Sequence, residues 1–233
     1  MFGGKRAFLL GMRDGAPFNL VVVPFGLLFG VAASNAGWSV LQIGAMSVFV
    51  IAGASQFTAL QLMSDQAPVL VVVAAGLAVN LRMAMYSASL APVFGRAPLW
   101  QRLLIAYTLV DQTYGTTING LALHPAMGPR ERVAHFFGSA LAICPAWYAA
   151  SIAGAVAGTA IPPALALDFA VPITFIAIFA PSLRSLPHLA AAIVSIGVAL
   201  ALYGLPYQLW LLVAAIAAML TGAAVERAME RRG

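Results

Sequence analysis

Long apolar stretches follow one another along the chain, with only short polar breaks between them. Crossing the roughly 30 Å hydrocarbon core takes about 20 apolar residues in a helix. Eight stretches reach that length: residues 17–36, 40–63, 67–92, 102–122, 133–157, 163–183, 186–204 and 206–225. Gly, Pro and isolated charges mark the joints. The pattern predicts an all-α polytopic membrane protein of about eight transmembrane helices, or seven if the third segment is re-entrant. Residues 1–16 are expected at the interface and Glu226–Gly233 in water. AGASQFTALQLM (52–63) weakly echoes FAVPITFIAIFA (169–180), each followed by proline. The echo suggests repeat halves at 17–122 and 133–225, parallel if each holds four spans.

Composition sharpens this picture. Of 233 residues 62% are hydrophobic and 8% charged, with mean hydropathy +0.95. A soluble domain has about 45–50% apolar and about 25% charged residues, so residues 1–233 read as a single integral membrane domain. The formal net charge is +5, yet the cations sit at segment ends instead of forming the basic face that nucleic acid needs. With both termini inside, the inner side collects Lys5, Arg6, Arg13, Arg130, Arg132, Arg184, Arg227, Arg231 and Arg232. The outer side holds only Arg96 and Arg102. That bias predicts N-in and C-in orientation. The apolar run Ala7–Met12 is shorter than a signal core of roughly 7–15 residues, so the first span is expected to act as an uncleaved insertion signal. One cysteine, Cys144, excludes an intramolecular disulfide and a multi-Cys metal site.

Polar side chains inside the spans are the candidate chemistry, because a charge at mid-bilayer costs roughly 2.5–3.5 kcal/mol on the most lenient scale. In the first span Pro24, Gly26 and Gly30 read either as a kinked packing face or as a broken helix that lends backbone groups to a site. In the second, Gly53, Ser55 and Gln56 serve either to join helices or to let a ligand approach the backbone closely. In the third, Asn80 and Ser87 share one helix face while Arg82, Tyr86 and Ser89 share a nearly opposite one. That segment is therefore either buried all round or broken near Asn80–Arg82. Arg82 needs a carboxylate partner or a carbonyl cluster, and its roles are a structural ion pair or substrate-carboxylate binding. Asp111, with Gln112 beside it and Tyr107 and Tyr114 on its face, is the partner candidate; static pairing and proton coupling both fit. Ala146, Ala150, Gly154 and Gly158 form a close-packing face, and Cys144-Pro145 reads as a kink.

His124, His135 and His188 match no metal motif. No HExxH, GxSxG or Walker A loop is present, and the sole lysine is Lys5. Neither cofactor nor enzymatic activity is expected.

At these same residues the chain resembles the AzlC/YgaZ family. The resemblance is carried by GMRDGAP (11–17), PFGLLFG (24–30), AGASQF (52–57), NLRMAMYSASLAP (80–92), LVDQTYG (109–115) and LDFAVPITFIAIFAPSLR (167–184). Members are large subunits of bacterial branched-chain amino acid exporters. The resemblance implies a multi-pass permease of the inner membrane that works with a small, hydrophobic AzlD/YgaH-type subunit. Its substrates would be leucine, isoleucine, valine and often methionine, with the proton gradient as energy source. Arg82 would take the substrate carboxylate, and Asp111, helped by Gln56 and Asn80, the ammonium or a proton. Phe25, Phe29 and Phe57 would either line an aliphatic pocket or, as aromatic residues in spans more often do, simply pack. Two departures stand out: Met83 where the family commonly has His, and Val110-Asp111-Gln112 where it has Thr-Asp-Glu. An importer or channel for other solutes, and a scaffold for the small subunit, are the competing readings.

Overall fold

The computed structural model describes residues 3–158, 183, 185–205 and 209–230. Within them the chain is entirely helical, without a strand. It falls into two compact units, one from Met1–Phe57 and Val79–Leu167, the other from Thr58–Ala78 and Asp168–Gly233.

In the first unit α1 (Gly4–Gly15) leads through a 3-10 turn (Ala16–Phe18) into α2 (Asn19–Asn35). Together they form an unbroken helical stretch of 32 residues, long and apolar enough to cross a membrane. Residues 4–15 are thus not a separate interfacial segment: Ala7, Gly11 and Gly15, four apart, bury one face of α1. Pro24 lies inside α2 without ending it. The partner of both helices is α8 (Pro129–Gly158). A Cβ built on Gly11, Gly15 or Gly26 meets His135, Ser139 or Ala150, a constant separation of 124 residues, so the two rods run parallel. A Cβ on Gly30 would fall on the Ser151 carbonyl oxygen, and one on Gly154 on that of Leu27. Only glycine permits backbones this close, which is how membrane helices gain packing energy where lipid offers no hydrophobic drive. The expected packing faces at Gly26, Gly30, Ala150, Gly154 and Gly158 therefore meet each other. Pro145 does not interrupt α8.

The stretches expected as single spans at 40–63 and 102–122 are each two half-helices. The first divides into α3 (Val40–Val50) and α4 (Gly53–Ser64), the second into α6 (Leu99–Tyr107) and α7 (Asp111–Leu123). Ile51, at the first break, takes left-handed φ 38° and ψ 41°. Gln56 Nε2 then donates to Ser47 Oγ at 3.3 Å. Nine residues of straight helix would hold those positions about 13.5 Å apart, so the first turn of α4 doubles back on α3. At the second break Val110 is extended.

Neighbours fix the direction of each piece around that second break. In α5 (Val69–Phe94), Phe94 packs on Phe136 near the start of α8, with ring centroids 5.5 Å apart. Trp100 and Leu104 of α6 face Arg130 and Phe137 across a groove. Tyr107, further along α6, reaches Tyr148. Helix α6 therefore runs up along α8, whereas α7 returns, because its Gly120 lies against the ring of His135. Residues 99–123 form a hairpin that enters and leaves at one end. That geometry carries Arg96 and Arg102 to the same end as Lys5, Arg6, Arg130 and Arg132. Within the first unit the two cations counted outside on the eight-span reading thus join the other Lys and Arg residues at one end.

In the second unit α9 (Leu186–Ala201) and α10 (Leu209–Glu230) pack as an antiparallel pair. Gly222 faces Pro187 and Ala191, and Tyr203 meets Trp210 at 5.6 Å. Ser185 caps α9 by accepting from His188 N. The expected span 163–183, including Asp168 and the second copy of the repeat echo, lies outside the described residues except for Leu183.

Gly30→Val should destabilise the α2–α8 seam by about 2 kcal/mol or more. Gly197→Ala, with open space around it, should leave the thermal midpoint in detergent unchanged or slightly raised. Equal midpoints for the two variants would refute the seam. The hairpin makes a topological prediction as well. In a Cys144→Ser background, Arg96→Cys and Pro125→Cys should react with an impermeant thiol reagent from one face of the membrane, and Ala36→Cys from the other. Labelling of Arg96→Cys together with Ala36→Cys would restore a straight fourth span.

Candidate functional site

Helix breaks at mid-span expose backbone groups that lipid cannot satisfy, so each break must carry its own polar partners. At the α6–α7 break Thr113 supplies most of them. Its Oγ1 lies 3.0 Å from the carbonyl oxygens of both Thr108 and Val110 and accepts from Val110 N at 2.9 Å. Thr108 Oγ1 donates to Leu104 O. Tyr107 OH donates to Val48 O at 2.6 Å, capping the end of α3, and lies 3.0 Å from Tyr148 OH. One phenol thereby ties the two breaks together.

Asp111 is the first residue of α7, where the positive end of the helix dipole favours an anion. Its Oδ2 lies 3.0 Å from Arg82 Nη1, with side chains 37% and 28% exposed respectively. Arg82 belongs to α5, which runs through Asn80–Arg82 without a break. That segment is not buried all round either: Leu81 and Met85 are 60% and 66% exposed. One turn further along α5 and α7, Tyr86 stacks on Tyr114 with centroids 4.1 Å apart and planes 13° apart. Ser89 Oγ lies 3.2 Å from Tyr114 OH. Among the described residues, Arg82 Nε, Asp111 Oδ1 and Asn80 Oδ1 are buried atoms without a hydrogen-bond partner. Arg82 Nε and Asp111 Oδ1 thus make no close hydrogen bond, although the Tyr86 phenol lies beside the carboxylate, and such atoms are unusual among buried polar groups.

The expected residues divide between the two breaks. Arg82, Tyr86 and Asp111 come together, joined by Tyr114 and Ser89. Gln112 follows Asp111 half-buried, its carbonyl accepting from Thr116 Oγ1. Ser87 is exposed on α5. Ser55 and Gln56 belong to the other break, both fully buried. Gln56 bonds within its own broken segment through Ser47, leaving Oε1 unpartnered. Gly53 lies against Phe25 and Trp147. Phe25 and Phe29 each pack on both Phe57 and Trp147, with centroids 4.9–6.3 Å apart. Phe29 and Phe57 are buried, so this cluster is filled core rather than an open aliphatic pocket. Tyr107, expected on the face of Asp111, sits on the other half-helix.

One pair escaped the sequence. His135 Nε2 lies 3.1 Å from Asp14 Oδ2 and joins α8 to α1, with the His side chain only 3% exposed. The sequence carries little signal for it: Asp14 stands beside Arg13, 121 residues before His135. Among the described residues no group of three His, Cys, Asp or Glu side chains could hold a metal.

Long apolar helices, two mid-span breaks and a charged pair at a half-helix start define a polytopic integral membrane protein with a polar core. Comparison with known proteins narrows the class. Residues 17–161 match the family model described as AzlC protein. The chain is 29% identical over 213 residues to an uncharacterized membrane protein of Helicobacter pylori, covering 87% of this chain and 90% of that one. It is 25% identical over 216 residues to the inner membrane protein YgaZ of Escherichia coli, covering 87% and 85%. A membrane protein of Archaeoglobus fulgidus is 27% identical over 200 residues, covering 84% of each chain. No solved structure matches. The chain belongs to the AzlC family of membrane proteins.

The ion pair predicts coupling between its two members. Arg82→Gln or Asp111→Asn alone leaves a charge unpaired and should cost about 1–3 kcal/mol of stability, while the double variant should recover part of that loss. Strictly additive thermal shifts would show that the two groups do not support each other.

Proposed function

We propose that this chain is the large subunit of a secondary transporter that exports leucine, isoleucine, valine and methionine across the inner membrane. It works with a small AzlD/YgaH-type subunit and is driven by the proton gradient. Membership in the AzlC family supports the transporter class. The observation that carries the reading is the Arg82–Asp111 pair, one-third exposed at the start of a mid-span half-helix, with Arg82 Nε and Asp111 Oδ1 in no close hydrogen bond.

A zwitterion suits this pair because it brings a charge for each member. The substrate carboxylate replaces Asp111 at the Arg82 guanidinium, and the substrate ammonium replaces Arg82 at the Asp111 carboxylate. Neither partly exposed charge is left without a counter-charge during the exchange, which keeps the desolvation cost low. Half-helix starts at mid-membrane serve substrate sites of this kind in other transporters. A proton on Asp111 would compete with the ammonium and thereby link substrate release to proton entry. The stacked Tyr86 and Tyr114 rings form one wall beside the pair. Asn80 and Gln112 supply further polar groups on the same two helices, and Gln56 supplies one at the other break.

Cells loaded with leucine-, valine- or methionine-containing dipeptides test this directly. Expression of the chain with its partner should speed efflux of at least one of these amino acids. Asp111→Asn should slow it about tenfold or more at equal membrane abundance, the scale of losing one member of a desolvated charge pair. Unchanged efflux of all three, with both subunits in the membrane, would end the branched-chain reading.

A further inference from the structure

We propose that the groove between α6 and α8 is a binding site for an anionic phospholipid of the leaflet at the cation-rich end. The groove has a volume of about 390 Å³ and is lined by Trp100, Gln101 and Leu104 from α6 and by Arg130, Val133, Ala134 and Phe137 from α8. It exists because residues 99–123 double back: α6 climbs beside α8 without packing tightly on it. The span from Arg130 to Phe137 gives it a length of roughly 10 Å at the helical rise per residue.

Its chemistry changes along that length. Leu104, Val133, Ala134 and Phe137 make the part away from Arg130 apolar, and a hydrocarbon chain fills such a cleft inside a bilayer without stranding polar groups. The mouth carries the exposed Arg130, with the indole of Trp100 as an interfacial anchor. Among the described residues Arg130 has no acidic partner. Its neighbours are occupied elsewhere: Glu131 Oε2 accepts from Gly128 N, and Arg132 Nε donates to Met127 O. Arg130 also stands in the first turn of α8, where the helix dipole adds positive potential. Lys5, Arg6, Arg96, Arg102 and Arg132 gather at the same end, whereas residues 20–81 contain no lysine or arginine. A basic mouth over an apolar slot between helices is complementary to a phosphate headgroup with its acyl chain.

The test uses the full chain in detergent, with phosphatidylglycerol and phosphatidylcholine of identical acyl chains titrated in and thermal stability and native mass spectra recorded. Phosphatidylglycerol should stabilise the protein at lower concentration than phosphatidylcholine and remain bound as an adduct. Arg130→Gln, an exposed change that spares the fold, should weaken the phosphatidylglycerol response about five-fold, the worth of one basic side chain at an anionic surface. Its response to phosphatidylcholine should be unaltered. Ala134→Phe, which fills the slot, should abolish both responses. Equal responses of the unaltered protein to the two lipids would overturn the proposal, as would a preference that survives Arg130→Gln. So would reproduction of the stabilisation by inorganic phosphate alone, or a second protein chain found in the groove in place of lipid.

Discussion

A helix interrupted inside a bilayer strands carbonyl and N–H groups that no solvent can reach, and the first unit is built around answering that demand. Thr113 accepts from Val110 N and turns its one hydroxyl proton to the Thr108 and Val110 carbonyls, and Tyr107 caps the end of α3 from the tip of α6. With those groups satisfied, the chain can turn back at mid-span and place Asp111 where a continuous helix would have put an ordinary buried residue. The charged pair then depends on the break. Arg82 on an intact helix meets a carboxylate held at the positive end of a short one, and the two groups neutralise each other without being sealed in.

Beside this arrangement of half-helices stands a closely packed pair of rods. Helices α1 and α2 run beside α8 at backbone contact through Gly11, Gly26, Gly30 and Gly154. Small residues every fourth position leave no side chain that could adjust, so the seam has essentially one register. The hairpin of α6 and α7 is braced on that seam at its open end, by Gly120 against His135 and by His135 on Asp14 of α1.

The sequence made the membrane class, the glycine faces and the Arg82–Asp111 partnership legible, because each rests on side-chain chemistry that periodicity exposes. It did not reveal where the helices break. Pro24, Pro92 and Pro145 all lie inside continuous helices, since neighbouring backbone and small side chains absorb a missing donor. The real breaks fall at Ile51-Ala52, just before Gly53, and at Thr108–Val110, neither of them at a proline and the second without a glycine. Their stabilisers, Ser47, Thr113 and Tyr107, are ordinary polar residues whose role depends on partners brought close only by the turn itself. Counting cations assigned Arg96 and Arg102 to the wrong end for the same reason: a hairpin and a span have the same hydropathy.

Ile51 bears on how the first break behaves. A β-branched residue in the left-handed region is a genuine outlier, and such a conformation holds on the order of 1–3 kcal/mol that surrounding contacts must offset. Glycine would sit there without strain and make a loose joint. Isoleucine makes a strained one, and the Gln56–Ser47 bond and the aromatic packing around Gly53 are the contacts at hand to offset the cost of the bend.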